Sequence, residues 1–174
     1  FNTIHLIGRQ SMRVMGIDPG SNCTGYGIIE SSGHSLKLIH YDTVRTKPKS
    51  DFPTKLKSIY DKLISIIRQY KPDQLAVEDL FFSVNAKSTI KLGQARGVVL
   101  LAGAHENIVI AEYSPLQVKQ STVGYGKADK NQVRAMVCRL LNLKTIPDSL
   151  DASDALAIAI CHLHSSSMGE RIRV

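Results

Sequence analysis

The sequence holds no tryptophan, and its three cysteines, Cys23, Cys138 and Cys161, are odd in number and scattered. None forms a Cys-x-x-Cys spacing, which argues against a disulfide framework or a structural zinc site and favours a reducing, cytoplasmic setting. No apolar run approaches the roughly 18 residues of a membrane-spanning helix. The first eleven residues, FNTIHLIGRQS, lack the cationic start and long apolar block of a signal peptide. They read as an upstream extension with Met12 as the expected natural start, which leaves 12–164 as one folded domain and 165–174 as a flexible tail. Acid is scarce too: 15 Asp and Glu stand against 22 Lys and Arg, a formal charge of +7. That balance says nothing about fold but points to a polyanionic partner, nucleic acid first.

What is present is patterned. RVMGID, GYGIIE and LKLIHYDTV are short β-leaning runs with Gly33 and His34 at a turn, and they read as an antiparallel meander. Over 53–70 the period changes: Leu56, Ile59, Tyr60, Leu63, Ile66, Ile67 and Tyr70 recur at three and four, an amphipathic helix that Pro72 stops. LAVED is a buried strand. A helix over 85–105 follows, rich in Gly and Ala. Glycine inside a helix costs about 1 kcal/mol relative to alanine, so its glycines mark close approach by another backbone. IVIAEY is a further strand, Pro115 opens a short helix, TVGYGKADKN is a basic loop, and helices over 129–141 and 151–164 complete the domain. Strands first in a meander and then separated by helices predict an α/β fold, a mixed sheet covered by helices.

Two acids stand in odd places. Asp18 and Glu78 each end a short apolar strand, where carboxylates are rare unless paired or holding a cation. Asp18 is followed by Pro19, Gly20, Gly25 and Gly27, which bring bare backbone close to something; its ordinary role there would be to bond the turn. Asp151 and Asp154 in DASDALAIAI are three apart, hence on one face of a first helical turn. One of them suffices as a cap. Two carboxylates 4 Å apart repel by about 4 kcal/mol at an effective dielectric near 20, and a divalent cation reverses that sign. Magnesium prefers oxygen ligands and keeps waters, so a half-open carboxylate cluster that also receives phosphate oxygens suits it. Basic residues lie nearby: Lys87 and Lys91 one turn apart on a helix, and Lys119, Lys127, Lys130 and Arg134 around the glycine-containing loop, a phosphate-contacting arrangement. His162 and His164 are two apart on a predicted helix and so cannot share a metal.

Taken together, GIDPGSNCTGYGII, the AVED strand end, KLGQARGV, VKQSTVGYGKADKNQV and DASDALAIAI resemble, in order and across 12–164, the RuvC-type Holliday junction resolvases of bacteria. The resemblance implies a ribonuclease H-like fold with a mixed five-stranded sheet, three antiparallel strands then parallel ones, flanked by helices. It implies a homodimer that nicks two opposed strands of a four-way DNA junction beside a branch-migration motor of the RuvA and RuvB type. By motif, Asp18, Glu78, Asp151 and Asp154 would be the catalytic and metal-binding acids, serving two Mg²⁺ per active site with Mn²⁺ able to substitute. Family members vary at the last position, some using His; here it is an acid. Asp18 would bridge the two ions, with Glu78 on one and Asp151 and Asp154 on the other. Phe81 matches an aromatic that stacks at the junction, a role the adjacent Phe82 could share, and Lys119 and Lys130 match basic positions tied to the DNA backbone and active site.

Three rivals compete. GIDPGSNCTGYGI also looks like the phosphate-binding hairpin of actin- and sugar-kinase-like ATPases, but 174 residues do not supply two nucleotide-enclosing lobes. A noncatalytic junction-binding module would use the same acids only as caps and turns. An RNA-cleaving relative of similar fold would share the charge.

Overall fold

The structure, a computed structural model, describes residues 11–33, 35–79 and 86–171, with side chains through Ser166. Phe81, Phe82, His34 and most of the N-terminal extension lie outside the described residues.

Strands β1 (Met12–Asp18), β2 (Cys23–Ser32) and β3 (Ser35–Arg45) form the antiparallel meander. Strands β4 (Gln74–Glu78) and β5 (Val109–Tyr113) add in parallel to β1, giving the sheet order β3-β2-β1-β4-β5. Helix α1 (Phe52–Tyr70) starts where the Asp51 carboxylate accepts from Thr54 N at 2.8 Å and Pro53 sits in the first turn. It ends at Lys71, in the left-handed region at φ 48° just before Pro72. Its apolar stripe, Ile59, Leu63, Ile64 and Ile67, is buried against the sheet.

Alternation along the strands sorts the two faces. Met15, Ile17, Ile28, Leu75 and Val77 point to α1 and α2 (Ala86–His105), while Val14, Ile29 and Ala76 point to α5 (Leu150–Arg171). Helices α3 (Pro115–Val123) and α4 (Lys130–Leu140) pack beside α5 over Val118, Val133 and Val137. Both begin with reciprocal capping boxes, Ser114 with Gln117 and Asp129 with Gln132. The basic loop between them is pinned by buried Ala128 and leaves α3 through Gly124 at φ 93°.

Two expectations change. Helix α5 does not stop at His164 but runs to Arg171; the Ser165 and Ser166 hydroxyls donate to the carbonyls of Cys161 and His162, both at 2.9 Å, so much of the expected loose tail is helical. In α2, Gly103 is the site of close approach, and it meets side chains rather than backbone: a Cβ there would lie 2.6 Å from Leu75 Cδ1 and 2.8 Å from Ile110 Cδ1. Gly97 instead faces open space.

Candidate active site

The glycines of β1 and β2 explain how a helix reaches the strand that carries Asp18. A Cβ on Gly16 would lie 2.1 Å from the Ala155 carbonyl oxygen, and one on Gly25 would lie 2.0 Å from that of Asp151. A Cβ on Gly27 would meet the Leu156 side chain, 2.5 Å from its Cδ2. The bare backbone is therefore approached by α5, which lies almost directly on the sheet with its first turn over the end of β1. Gly25 is also the registered partner of Asp18, so the helix turn bearing Asp151 sits over Asp18's own neighbour.

Asp18 lies two residues past Gly16, and Glu78 two past Ala76; both therefore share the α5 face. The four carboxylates act on one another. Burial, then the charges of Glu78, Asp154 and Asp151, push Asp18 up to about 8 against the opposing pull of Lys130. Burial and Asp154 raise Glu78, while Lys130 and Lys119 pull it down. Asp18 does not serve as the turn residue: the Thr24 hydroxyl closes the loop, donating to the Gly20 carbonyl at 2.8 Å and accepting from Gly20 N at 3.3 Å.

Lys130 Nζ stands 3.1 Å from Asp154 Oδ2, and that carboxylate raises the lysine's pKa. The lysine supplies the local counter-charge, and among the described residues no three His, Cys, Asp or Glu side chains converge as a ready metal cage. The donor set is nonetheless all carboxylate oxygen, the hard ligands that Mg²⁺ and similar cations take. A carboxyl pushed up to about 8 by burial first and by three neighbouring acids second is one that gains from added positive charge, so the residues fit a divalent ion.

Other expected residues fall in different places. Lys119 and Lys130 face the acids electrostatically. Lys127 is exposed in the loop, and Lys87 and Lys91 are exposed on α2, Lys91 lying 5.5 Å over the Phe52 ring. Arg134 Nη2 donates to the Pro147 carbonyl at 2.9 Å, at the loop leading into α5. His162 bonds Tyr113 and Gln74 while His164 contacts Ser121, so the two histidines diverge as their spacing requires. Cys23, to which sequence reading gives no role, lies against Asp151; burial and that carboxylate push its thiol up to about 11. Its only sequence signal was its place two residues before Gly25.

A family model described as crossover junction endodeoxyribonuclease RuvC matches residues 14–162. A Desulforamulus reducens protein, "Crossover junction endodeoxyribonuclease RuvC", is 51% identical over 163 residues, covering 93% of this chain and 100% of that protein. A Pelobacter propionicus protein of the same name is 54% identical over 156 residues, 88% of this chain and 87% of that one. Among solved structures, T. thermophilus RuvC in complex with Holliday junction substrate superposes with a TM-score of 0.86 at 34% identity, covering 91% of this chain and 96% of that one. The yeast mitochondrial Holliday junction resolvase Ydc2, at 13% identity over 93% of this chain and 82% of that one, shares the fold with a TM-score of 0.71. With the matched segment spanning both acid-bearing strand ends and the first turns of α5, the chain belongs to the RuvC family of crossover junction endodeoxyribonucleases.

Proposed function

We propose that this chain is a cytoplasmic, divalent-metal-dependent nuclease that resolves four-way DNA junctions by symmetric nicks in two opposed strands during homologous recombination and repair. The observation that carries the reading is the electrostatic coupling of Asp18 to Glu78, Asp151 and Asp154 in an otherwise basic protein, Asp18 being pushed up to about 8 by burial and then by those acids. Stability alone gives no reason to gather those charges.

Asp18 would hold two Mg²⁺ ions, Glu78 one of them, and Asp151 and Asp154 the other, with Mn²⁺ as a substitute. Bound, the pair supplies an activated water on one side of the phosphodiester and charge neutralisation at the departing 3′ oxygen. The chain's own part is to place the carboxylates rigidly on two strand ends and one helix turn. Lys119 and Lys130 hold the backbone phosphates over the acids, with Lys87, Lys91 and Lys127 extending the basic track. Phe81, with Phe82 beside it, is proposed to stack on an opened base at the junction. The family's homodimer would set two such sites on a pseudo-symmetric junction, beside a RuvA- and RuvB-type branch-migration complex. An outward stripe on α2 supports the dimer: Ile90 and Leu101 are 61% and 58% exposed, with Gly97 between them.

A side-by-side digest tests the reading. With Mg²⁺, a synthetic four-way DNA junction is expected to give paired, religatable nicks while structured RNA stays intact. Equal cleavage of both substrates, or nicking that persists in excess chelator, would overturn it.

A further inference from the structure

We propose that Arg96 is a positioning residue for Glu78, holding the end of β4 through the Glu78 main-chain carbonyl and thereby fixing where that carboxylate meets the metal. The inference rests on Glu78 being a metal-bearing acid, as proposed above. Pairing between β4 and β1 ends at Val77, so the Glu78 backbone has lost its neighbour on that side and is held by β5 alone within the sheet. Arg96 reaches over from α2: its Nε donates to the Glu78 carbonyl oxygen at 3.2 Å. Its Nη2 pairs with Asp79 Oδ1 at 3.3 Å and with the Glu112 carboxylate of β5.

One guanidinium thus ties together a helix, the end of the acid-bearing strand and the neighbouring strand. The Asp79 amide adds a second tie, donating to the Tyr113 carbonyl at 2.8 Å. The arginine side chain is only 14% exposed, whereas Asp79 and Glu112 are 58% and 48% exposed. Two half-exposed acids need no buried partner; a nearly buried cation needs the acids. The planar fork suits this task, since Nε can donate to a carbonyl while Nη2 stays ion-paired with carboxylates, which an ammonium on a flexible stem does poorly. The charges felt by the Glu78 carboxyl come from Asp154, Lys130 and Lys119, so Arg96 acts on the backbone beneath it.

The test is Arg96→Lys beside Glu112→Gln and Glu78→Gln in the full chain. R96K retains positive charge but gives up the directed Nε bond. It is expected to bind four-way junction in Ca²⁺ as wild type does, yet to need about 10- to 100-fold more Mg²⁺ for half-maximal nicking, the range for losing a group that orients a metal ligand. Mn²⁺ binding without DNA, followed by electron paramagnetic resonance, should weaken in parallel. E112Q keeps the Nε bond to the Glu78 carbonyl but removes one of the two acids paired with the guanidinium, so it should be impaired clearly less than R96K in both assays. Should R96K fail to fold, R96Q, with a single short amide donor, replaces it under the same expectations. Wild-type Mn²⁺ affinity in the Arg96 variant, or equal impairment in E112Q, overturns the proposal. An E78Q enzyme that nicks at the wild-type rate overturns instead the site reading on which it rests.

Discussion

Asp18 and Glu78 each stand one residue beyond the last parallel pair of their strands, Ile17 with Val77, so two carboxylates leave adjacent strands side by side and toward the same helix. Neighbouring strands lie about 4.8 Å apart, close enough for the charges to repel strongly. The molecule tolerates this by partial protonation and by Lys130, and the consequences are measurable.

Stability should fall with rising pH in the metal-free protein. Asp18 titrates at about 8 when folded against an ordinary value of 3.8, so between those limits the folded state holds a proton that the unfolded state has released. The penalty is absent below about pH 4 and complete above about pH 8. Thermal unfolding in chelator should show a declining Tm across that window, and Asp18→Asn should flatten it. An unchanged slope in D18N would place the titration elsewhere.

The same proton couples to metal. Because the carboxylate must be ionised to coordinate, divalent binding should release a proton from Asp18 and weaken as pH drops below about 8. Calorimetry of Mn²⁺ in buffers of differing ionisation enthalpy should reveal the released proton in wild type and lose it in D18N. D18N and E78Q should both bind junction normally while nicking falls by at least about 100-fold, the scale for removing one group directed at transition-state charge.

Gly25 offers a way to move the acids without touching them. Alanine there would place its Cβ 2.0 Å from the Asp151 carbonyl oxygen, and main chain cannot swing aside as a flexible side chain does. Gly25→Ala should therefore lift the first turn of α5, cost about 1–3 kcal/mol by overpacking, and lower nicking beyond that loss. Gly16→Ala meets Ala155 and Ala159 one and two turns further along and should cost similar stability. Urea melts paired with single-turnover rates separate the two effects. If G25A lost stability but cut normally at low temperature, the α5 start would not need its present height.

Much of this was legible in the chain. The meander, the α1 stripe and the acid-bearing strand ends follow from period-two and period-3.6 patterns that tertiary packing does not override, since Ile59, Leu63 and Ile67 have one buried face to fill. The resemblance then joined Asp151 and Asp154 to the strand acids, which spacing alone could not do. Lost to inspection were effects that depend on a distant partner. Arg134 reads as basic surface until Pro147 appears beneath it, and Arg96 reads as one more helix charge until β4 and β5 close around it. Residues 165–171 look like a polar tail because their sequence is serine-rich, yet hydroxyls that return to carbonyls one turn earlier let the helix continue.

Lys119 and Lys130 should differ from the acids in what they report. A lysine that contacts phosphate releases a condensed counterion on binding, so its loss lowers the slope of log affinity against log salt by about one. Lys119→Ala and Lys130→Ala are each expected to weaken junction binding uniformly across sequences and to flatten that slope, as fluorescence anisotropy between 50 and 200 mM salt would record. Lys130→Ala also removes the cation paired with Asp154, so the Mg²⁺ needed for nicking should fall even as DNA affinity drops. A Lys130 variant with an unaltered salt slope would assign that side chain to the acids alone.

The proposed dimer can be tested at Gly97. A Cβ at that position meets nothing within 4 Å, so Gly97→Leu adds no clash within the protomer and gains up to about 1 kcal/mol of helix propensity. Between Ile90 and Leu101, however, the added isobutyl group would stand on the stripe assigned to a second copy. The expected outcome is a protein at least as resistant to heat as wild type that sediments as a monomer. Resolution should then change character: with the two active sites no longer held together, supercoiled plasmids extruding a cruciform should accumulate the singly nicked circle before linear product appears. Sedimentation velocity and that product ratio check the two consequences independently, and a dimeric Gly97→Leu protein that still linearises in one encounter would move the interface off α2.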